Sequence, residues 1–228
     1  MKMYGATDIG LVRETNQDNF YINKAAKWAV VADGMGGHNG GETASFLTVE
    51  EIKKSMQQGV GLKESVENAN SLVYRAAMET PVLMGMGTTV VLCEIVGSIA
   101  NISYVGDSRA YHYHNGVLTQ ITKDHSIVQQ LIDSGTITEE QAKFHPQRNL
   151  ITRAVGTERY VLADSVSTDV EKGDYILMCS DGLSSYVDEK VISDILANTK
   201  TSDVVSKLIE EANDCGGKDN VTVVVMEV

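Results

Sequence analysis

Residues 28–34 read Trp-Ala-Val-Val-Ala-Asp-Gly. Five apolar residues make a short buried strand, and an acid followed by glycine closes it. The same pattern returns downstream, where Ile102-Ser-Tyr-Val-Gly runs into Asp107 and Tyr175-Ile-Leu-Met-Cys-Ser runs into Asp181-Gly182. A fourth acid, in Asp219-Asn220, opens the apolar run Val221 to Met226. With Thr89 to Val96 and Ile99 to Val105, these Val/Ile-rich runs form a set of mostly buried strands.

Helical spacing appears after Gly41, where Phe46, Val49, Ile52 and Met56 share a stripe, and again at Val66, Ala69, Val73, Ala76 and Ala77. Val204, Val205, Leu208, Ile209 and Ala212 form a third. The order is strands, two long helices, a block of strands, then helices and a last strand. That order is not a βαβα alternation, so the expected class is α+β: largely antiparallel sheets sandwiched together with helices outside. No linker, repeat or low-complexity tract divides residues 1–228, and a single domain is expected.

The chain has 228 residues, 43% of them hydrophobic, which suffices for a full core. Its 19 Lys+Arg against 31 Asp+Glu leave a net charge of −12 with no basic cluster, which argues against nucleic acid and anionic membranes as partners. The start lacks the apolar core of a signal peptide and no apolar run approaches a membrane span, so a cytoplasmic location is expected. Cys93, Cys179 and Cys215 form no Cys-x-x-Cys pair, and the first two sit in strand-like runs as packing residues.

Carboxylates at the mouths of buried strands lose hydration and repel one another wherever they converge, and a metal ion is the natural counter-charge. Carboxylate, carbonyl and water ligands without a His or Cys cluster select a hard divalent ion, Mg²⁺ or Mn²⁺, rather than zinc. The plainer alternative is that each Asp-Gly or Asp-Asn only makes a turn. Arg13, in Arg-Glu-Thr-Asn-Gln-Asp18, is the candidate phosphate ligand because a guanidinium matches a phosphoryl group bidentately. Asp18 either orients a metal-bound water or ends a turn.

Residues 122–156 interrupt the strand pattern with a short helix (Ile127, Val128, Leu131, Ile132) and a polar stretch, either a lid or a surface decoration. His112 and His114 share a strand face, but without nearby acids they read as a half-exposed face rather than a metal site. Gly34, Gly36, Gly37, Gly40 and Gly41 lack a dinucleotide-loop register and let the backbone approach closely. Glu42 suits the first turn of a helix.

Taken in order, Thr7-Asp8-Ile9-Gly10, Arg13-Glu-Thr-Asn-Gln-Asp18, Val30-Val-Ala-Asp33-Gly-Met-Gly-Gly-His38, Gly87-Thr-Thr89, Val105-Gly-Asp107-Ser-Arg109, Ser180-Asp181-Gly182 and Lys218-Asp219-Asn220-Val-Thr-Val resemble the metal-dependent protein phosphatases of the PPM, or type 2C, family, and within it the compact bacterial serine/threonine phosphatases. The resemblance covers nearly the whole chain. It implies a four-layer α/β/β/α sandwich with metals in a cleft at one end of the two sheets. By resemblance, Asp33 bridges two ions, the Gly34 carbonyl binds one, Asp181 and Asp219 bind the other, and Asp107 with Asp181 holds a weaker third. Asp18 acts through metal waters, Arg13 binds phosphate, and residues 122–156 form the flap.

The resemblance also implies in-line attack on phosphorus by a hydroxide bridging the ions, without a phosphoenzyme. Eukaryotic members carry a histidine after the Asp-Gly as proton donor, whereas this chain has Met35. His38 is then either a catalytic proton donor or substrate contact, or the cap of the following helix; a metal-bound water is a third donor. No Cys-x5-Arg loop, Asp-x-Asp pair, His-Glu-x-x-His helix or phosphate-binding Gly-x4-Gly-Lys-Ser/Thr loop is present, which argues against thiol phosphatases, aspartyl-phosphate enzymes, zincins and P-loop NTPases. The expected partners are phosphorylated proteins, with a serine/threonine kinase whose action the chain opposes, and the expected state is a monomer. The alternatives are a phosphatase of a phosphoserine regulator in a partner-switching circuit and a non-catalytic phosphoprotein-binding module.

Overall fold

Two antiparallel sheets lie face to face in a computed structural model that describes residues 1–36 and 40–228. The first sheet runs β1 (Lys2–Asp8), β11 (Val221–Glu227), β10 (Tyr175–Cys179), β7 (Arg109–His114), β8 (Val117–Gln120). The second runs β2 (Asp18–Asn23), β3 (Trp28–Met35), β5 (Val90–Val96), β6 (Ile99–Val105), β9 (Asp164–Asp169), and the short β4 (Gly87–Thr88) pairs with the end of β3. Helices α1 (Gly40–Gln57) and α2 (Leu62–Glu79) cover the second sheet, and α6 (Glu189–Asn198) and α7 (Thr201–Asp214) cover the first. The expected α/β/β/α sandwich is therefore present.

Burial on both faces explains why the central strands read as unbroken apolar runs. Side chains alternate across a strand, so Trp28, Val30 and Ala32 of β3 pack under α1 and α2 while Ala29 and Val31 point between the sheets. β10 does the same in mirror image: Ile176 and Met178 meet β3 and β5 residues, and Leu177 and Cys179 lie under α6 and α7. Cys93 and Cys179 are buried free thiols, as their surroundings in the sequence imply. β9, Asp-Ser-Val-Ser-Thr-Asp, escapes a hydrophobicity reading because it is an edge strand whose alternate residues face solvent.

The α1 stripe needs correction. Phe46 is 52% exposed, and the buried face runs through Ala44, Ser45, Thr48, Val49, Ile52 and Ser55. The helix lies close against the sheet through small residues, and Ser45 fixes its rotation by donating its hydroxyl to the Gln17 carbonyl at 2.6 Å. Position 46, about 100° further round, then points outward. The stripes on α2 and α7 hold, with Val66, Ala69, Val73 and Ala77, and Val204, Val205, Leu208 and Ala212, all buried.

No described helix is long and apolar enough to cross a membrane. The connection between β8 and β9 carries α3 (Ile127–Asp133) and α4 (Glu139–Ala142), the latter opened by a capping box between Thr138 and Gln141. From the rotation of α1, Ile52→Ala is expected to cost about 2–5 kcal/mol of unfolding free energy and Phe46→Ser less than about 0.5 kcal/mol, measurable by urea denaturation. Equal losses at the two positions would contradict the assigned face.

Candidate active site

The ends of β3, β10 and β11 meet the loop of residues 9–17 at one edge of the sandwich. Asp18 and Asp33 are direct cross-strand partners in the β2–β3 ladder. The backbone at Asp33 is clamped from behind: its carbonyl accepts from the Thr89 N–H and the Thr88 hydroxyl, both at 2.8 Å, and its N–H donates to Thr89 Oγ1 at 3.2 Å. At Gly34 a Cβ would collide with the carbonyl of Gly41, because the start of α1 passes directly across. Glycine is required there by close approach rather than by an unusual φ.

Asp181 opens the one-turn α5 (Asp181–Ser184) directly after β10. Asp219 precedes β11, and its neighbour Asn220 ties the loop down. Asn220 accepts the Gln17 N–H at 2.8 Å and donates to the carbonyls of Ile9 and Thr15 at 2.9 and 3.0 Å. That anchorage delivers Arg13, whose Nη2 donates to Asp219 Oδ2 at 2.7 Å while more than half of its side chain stays exposed. A cation held by one carboxylate yet open to solvent is placed to receive an anion.

The electrostatics show how tightly the acids converge. Burial pushes Asp33 well above the ordinary aspartate range, and the charges of Asp18, Asp181, Asp107 and Asp219 add to it. Asp181 rises to about 8, first from burial and then from Asp107, Asp219 and Asp18. Asp18 and Asp107 each rise to about 6, burial again leading. Asp33, Asp107 and Asp181 each keep part of their surface open to solvent.

These residues fit a divalent cation. Asp18 Oδ2 accepts from Ser180 Oγ and Thr222 Oγ1, both at 2.7 Å, whereas its buried Oδ1 has no hydrogen-bond partner. An orphaned carboxylate oxygen beside four further acids is costly unless a cation or its hydration water faces it.

A family model for protein phosphatase 2C matches residues 12–220. The chain belongs to the protein phosphatase 2C family. It is 40% identical over 228 residues to the serine/threonine protein phosphatase PstP of Mycobacterium tuberculosis, a match that covers 97% of this chain but 44% of PstP. The chain thus spans less than half the length of that relative. It is 36% identical to the serine/threonine phosphatase stp of Listeria monocytogenes, with 97% and 93% of the two chains covered. Among solved structures, the catalytic domain of PstP in complex with two manganese ions superposes with a TM-score of 0.90 at 37% identity, covering 99% and 97% of the chains.

The family resemblance read from the sequence is thereby shown, and the candidate residues Arg13, Asp18, Asp33, Gly34, Asp107, Asp181 and Asp219 fall at one end of the sandwich. His38 lies outside the described residues. His112 and His114 sit elsewhere, and the expectation that they lack a nearby acid is wrong: Asp174, distant in sequence, hydrogen-bonds to both.

Sequence reasoning missed the parts that hold this cluster of acids in place. The segment of residues 122–156 is fastened to it at both ends. Val155 exchanges backbone hydrogen bonds with Thr88, and His125 donates its N–H to the Gly106 carbonyl while its Nδ1 accepts the Gly106 N–H at 3.0 Å. Gly106 has φ +105° and directly precedes Asp107. Arg109 forks onto Asp124 with contacts of 2.7 to 3.1 Å, so its guanidinium is a structural brace rather than a substrate ligand. The motif Thr-Lys-Asp124-His125-Ser126 was the available signal, but its role depends on long-range contacts.

The raised pKa values have a sign that can be checked. A carboxyl that is harder to ionise when folded holds a proton that the unfolded chain releases, so the folded state loses stability as pH rises from the free value of 3.8 towards about 8. In chelator, the melting temperature is expected to fall between pH 5 and pH 8, and Mn²⁺ is expected to reverse the fall. A melting temperature in chelator that climbs over this interval would contradict the burial and convergence of these acids.

Proposed function

We propose that this chain hydrolyses phosphoserine and phosphothreonine esters in proteins, using two Mg²⁺ or Mn²⁺ ions held by Asp33, the Gly34 carbonyl, Asp181 and Asp219. The observation that carries the reading is the convergence of five acids with one solvent-facing arginine at the same strand ends. The family, and relatives named as serine/threonine phosphatases, support it. A third, weaker ion between Asp107 and Asp181 belongs to the same proposal, as do a cytoplasmic monomer and a serine/threonine kinase whose phosphorylations are reversed.

When bound, the two ions supply the Lewis acidity that activates water near neutral pH and offsets phosphoryl charge. The chain's own residues do the rest. Arg13 exchanges part of its contact with Asp219 for phosphoryl oxygens, and the charge that builds on those oxygens in the transition state strengthens the pairing. Asp18, held by Ser180 and Thr222, keeps its second oxygen, Oδ1, without a hydrogen-bond partner and so able to orient water. The Thr88 and Thr89 clamp fixes the backbone of Asp33, so the carboxylate need not reorganise during reaction.

Kinetics on a phosphothreonyl peptide test the assignment. Asp33→Asn is expected to lower kcat by at least about 10³-fold with the fold retained by circular dichroism, and Arg13→Ala to lower kcat/KM by about 10²-fold. Asp33→Asn activity within tenfold of the parent would overturn the ligand assignment.

A further inference from the structure

Among the described residues, His112, His114 and Asp174 place three ligand atoms within 4.8 Å of one another. The two histidines alternate on β7 and so project from the same face, while Asp174 directly precedes β10, the antiparallel neighbour that pairs Ile176 with His112. His112 Nε2 lies 2.9 Å from Asp174 Oδ2, and His114 Nδ1 lies 2.7 Å from Asp174 Oδ1. β10 separates this cluster from Asp181, placing it roughly 20 Å along the sheet from the carboxylate centre.

We propose that His112, His114 and Asp174 form a second metal site, selective for a borderline divalent ion, Zn²⁺ foremost, and independent of the phosphatase centre. Two imidazole nitrogens with one carboxylate are the donor set that such ions prefer and that Mg²⁺ does not. The scaffold is built rather than incidental. The Asp174 side chain is 6% exposed, its Oδ2 accepts the Glu171 N–H at 2.9 Å, and its carbonyl accepts the Val228 N–H at 3.0 Å. Among the described residues no Lys or Arg pairs with this buried carboxylate, so the two imidazoles are its only side-chain partners of basic character.

The fourth position is open. His114 is 40% exposed, against 15% for His112, so a water or an incoming ion reaches the cluster from that side. Zn²⁺ bound tetrahedrally at about 2.0–2.1 Å needs its ligands a little over 3 Å apart, so the present spacings open by about half an ångström. Both ring protons that now face Asp174 move on ligation, that of His112 from Nε2 to Nδ1 and that of His114 from Nδ1 to Nε2, which lies 2.7 Å from Asn115 Nδ2. Turning the Asn115 amide over presents its oxygen to that proton, the supporting contact that ligating histidines usually make. Asn115 sits in the β7–β8 turn with a left-handed φ of +50°.

The test is zinc titration of the purified full chain by calorimetry in excess Mg²⁺, added to compete for the carboxylate centre and not for imidazole. One equivalent of Zn²⁺ is expected to bind, with at least about tenfold weaker binding in His112→Ala and in His114→Gln and unchanged binding in Asp33→Asn. If His112→Ala fails to fold, the more exposed His114→Gln decides alone. No zinc binding by the parent chain, zinc binding that survives His114→Gln unweakened, or zinc binding lost in Asp33→Asn would each overturn the proposal.

Discussion

Mutual repulsion among buried carboxylates is the constraint around which this molecule is arranged. Asp18, Asp33, Asp107, Asp181 and Asp219 arrive from both sheets at one edge, where burial and neighbouring charge hold Asp33 and Asp181 far from their free ionisation behaviour. Nothing in ordinary packing gains from that concentration of charge. Two of the acids are fixed from behind, Asp33 by Thr88 and Thr89 and Asp18 by Ser180 and Thr222, and Asn220 fixes the loop bearing Arg13. The proposed divalent cations would convert the repulsion into ligation and so link metal binding, stability and chemistry.

The sandwich supplies the rigidity that this requires. Strands buried on both faces cannot slip in register without moving a full row of side chains between two cores. The ends of β3, β10 and β11 are therefore fixed points, and the acids placed there inherit their precision from the ladders. Small residues where α1 crosses β3 serve the same purpose, since Gly34 and Gly41 allow an approach that any side chain would block.

Much of this was legible in the sequence because the central strands are apolar throughout and end in acids. Val30-Val31-Ala32-Asp33 announces both a doubly buried strand and the acid that closes it. The unread parts are those whose meaning lies in distant partners. Phe46 fits a helical stripe, yet Ser45 and Gln17 set the rotation of α1 and turn it outward. β9 is hidden by its edge position. His125 carries no local mark of its hold on Gly106, and the acid that meets His112 and His114 lies 60 residues or more downstream.

The central claim is that these carboxylates act through bound divalent cations on a phosphoryl ester. Phosphate release from a phosphothreonyl peptide, with Mn²⁺ and then with excess chelator, tests it most directly. Release that requires Mn²⁺, stops in chelator and returns on adding the ion back is the predicted result. Release that continues undiminished in chelator, or no release with Mn²⁺ shown to be bound, would contradict it.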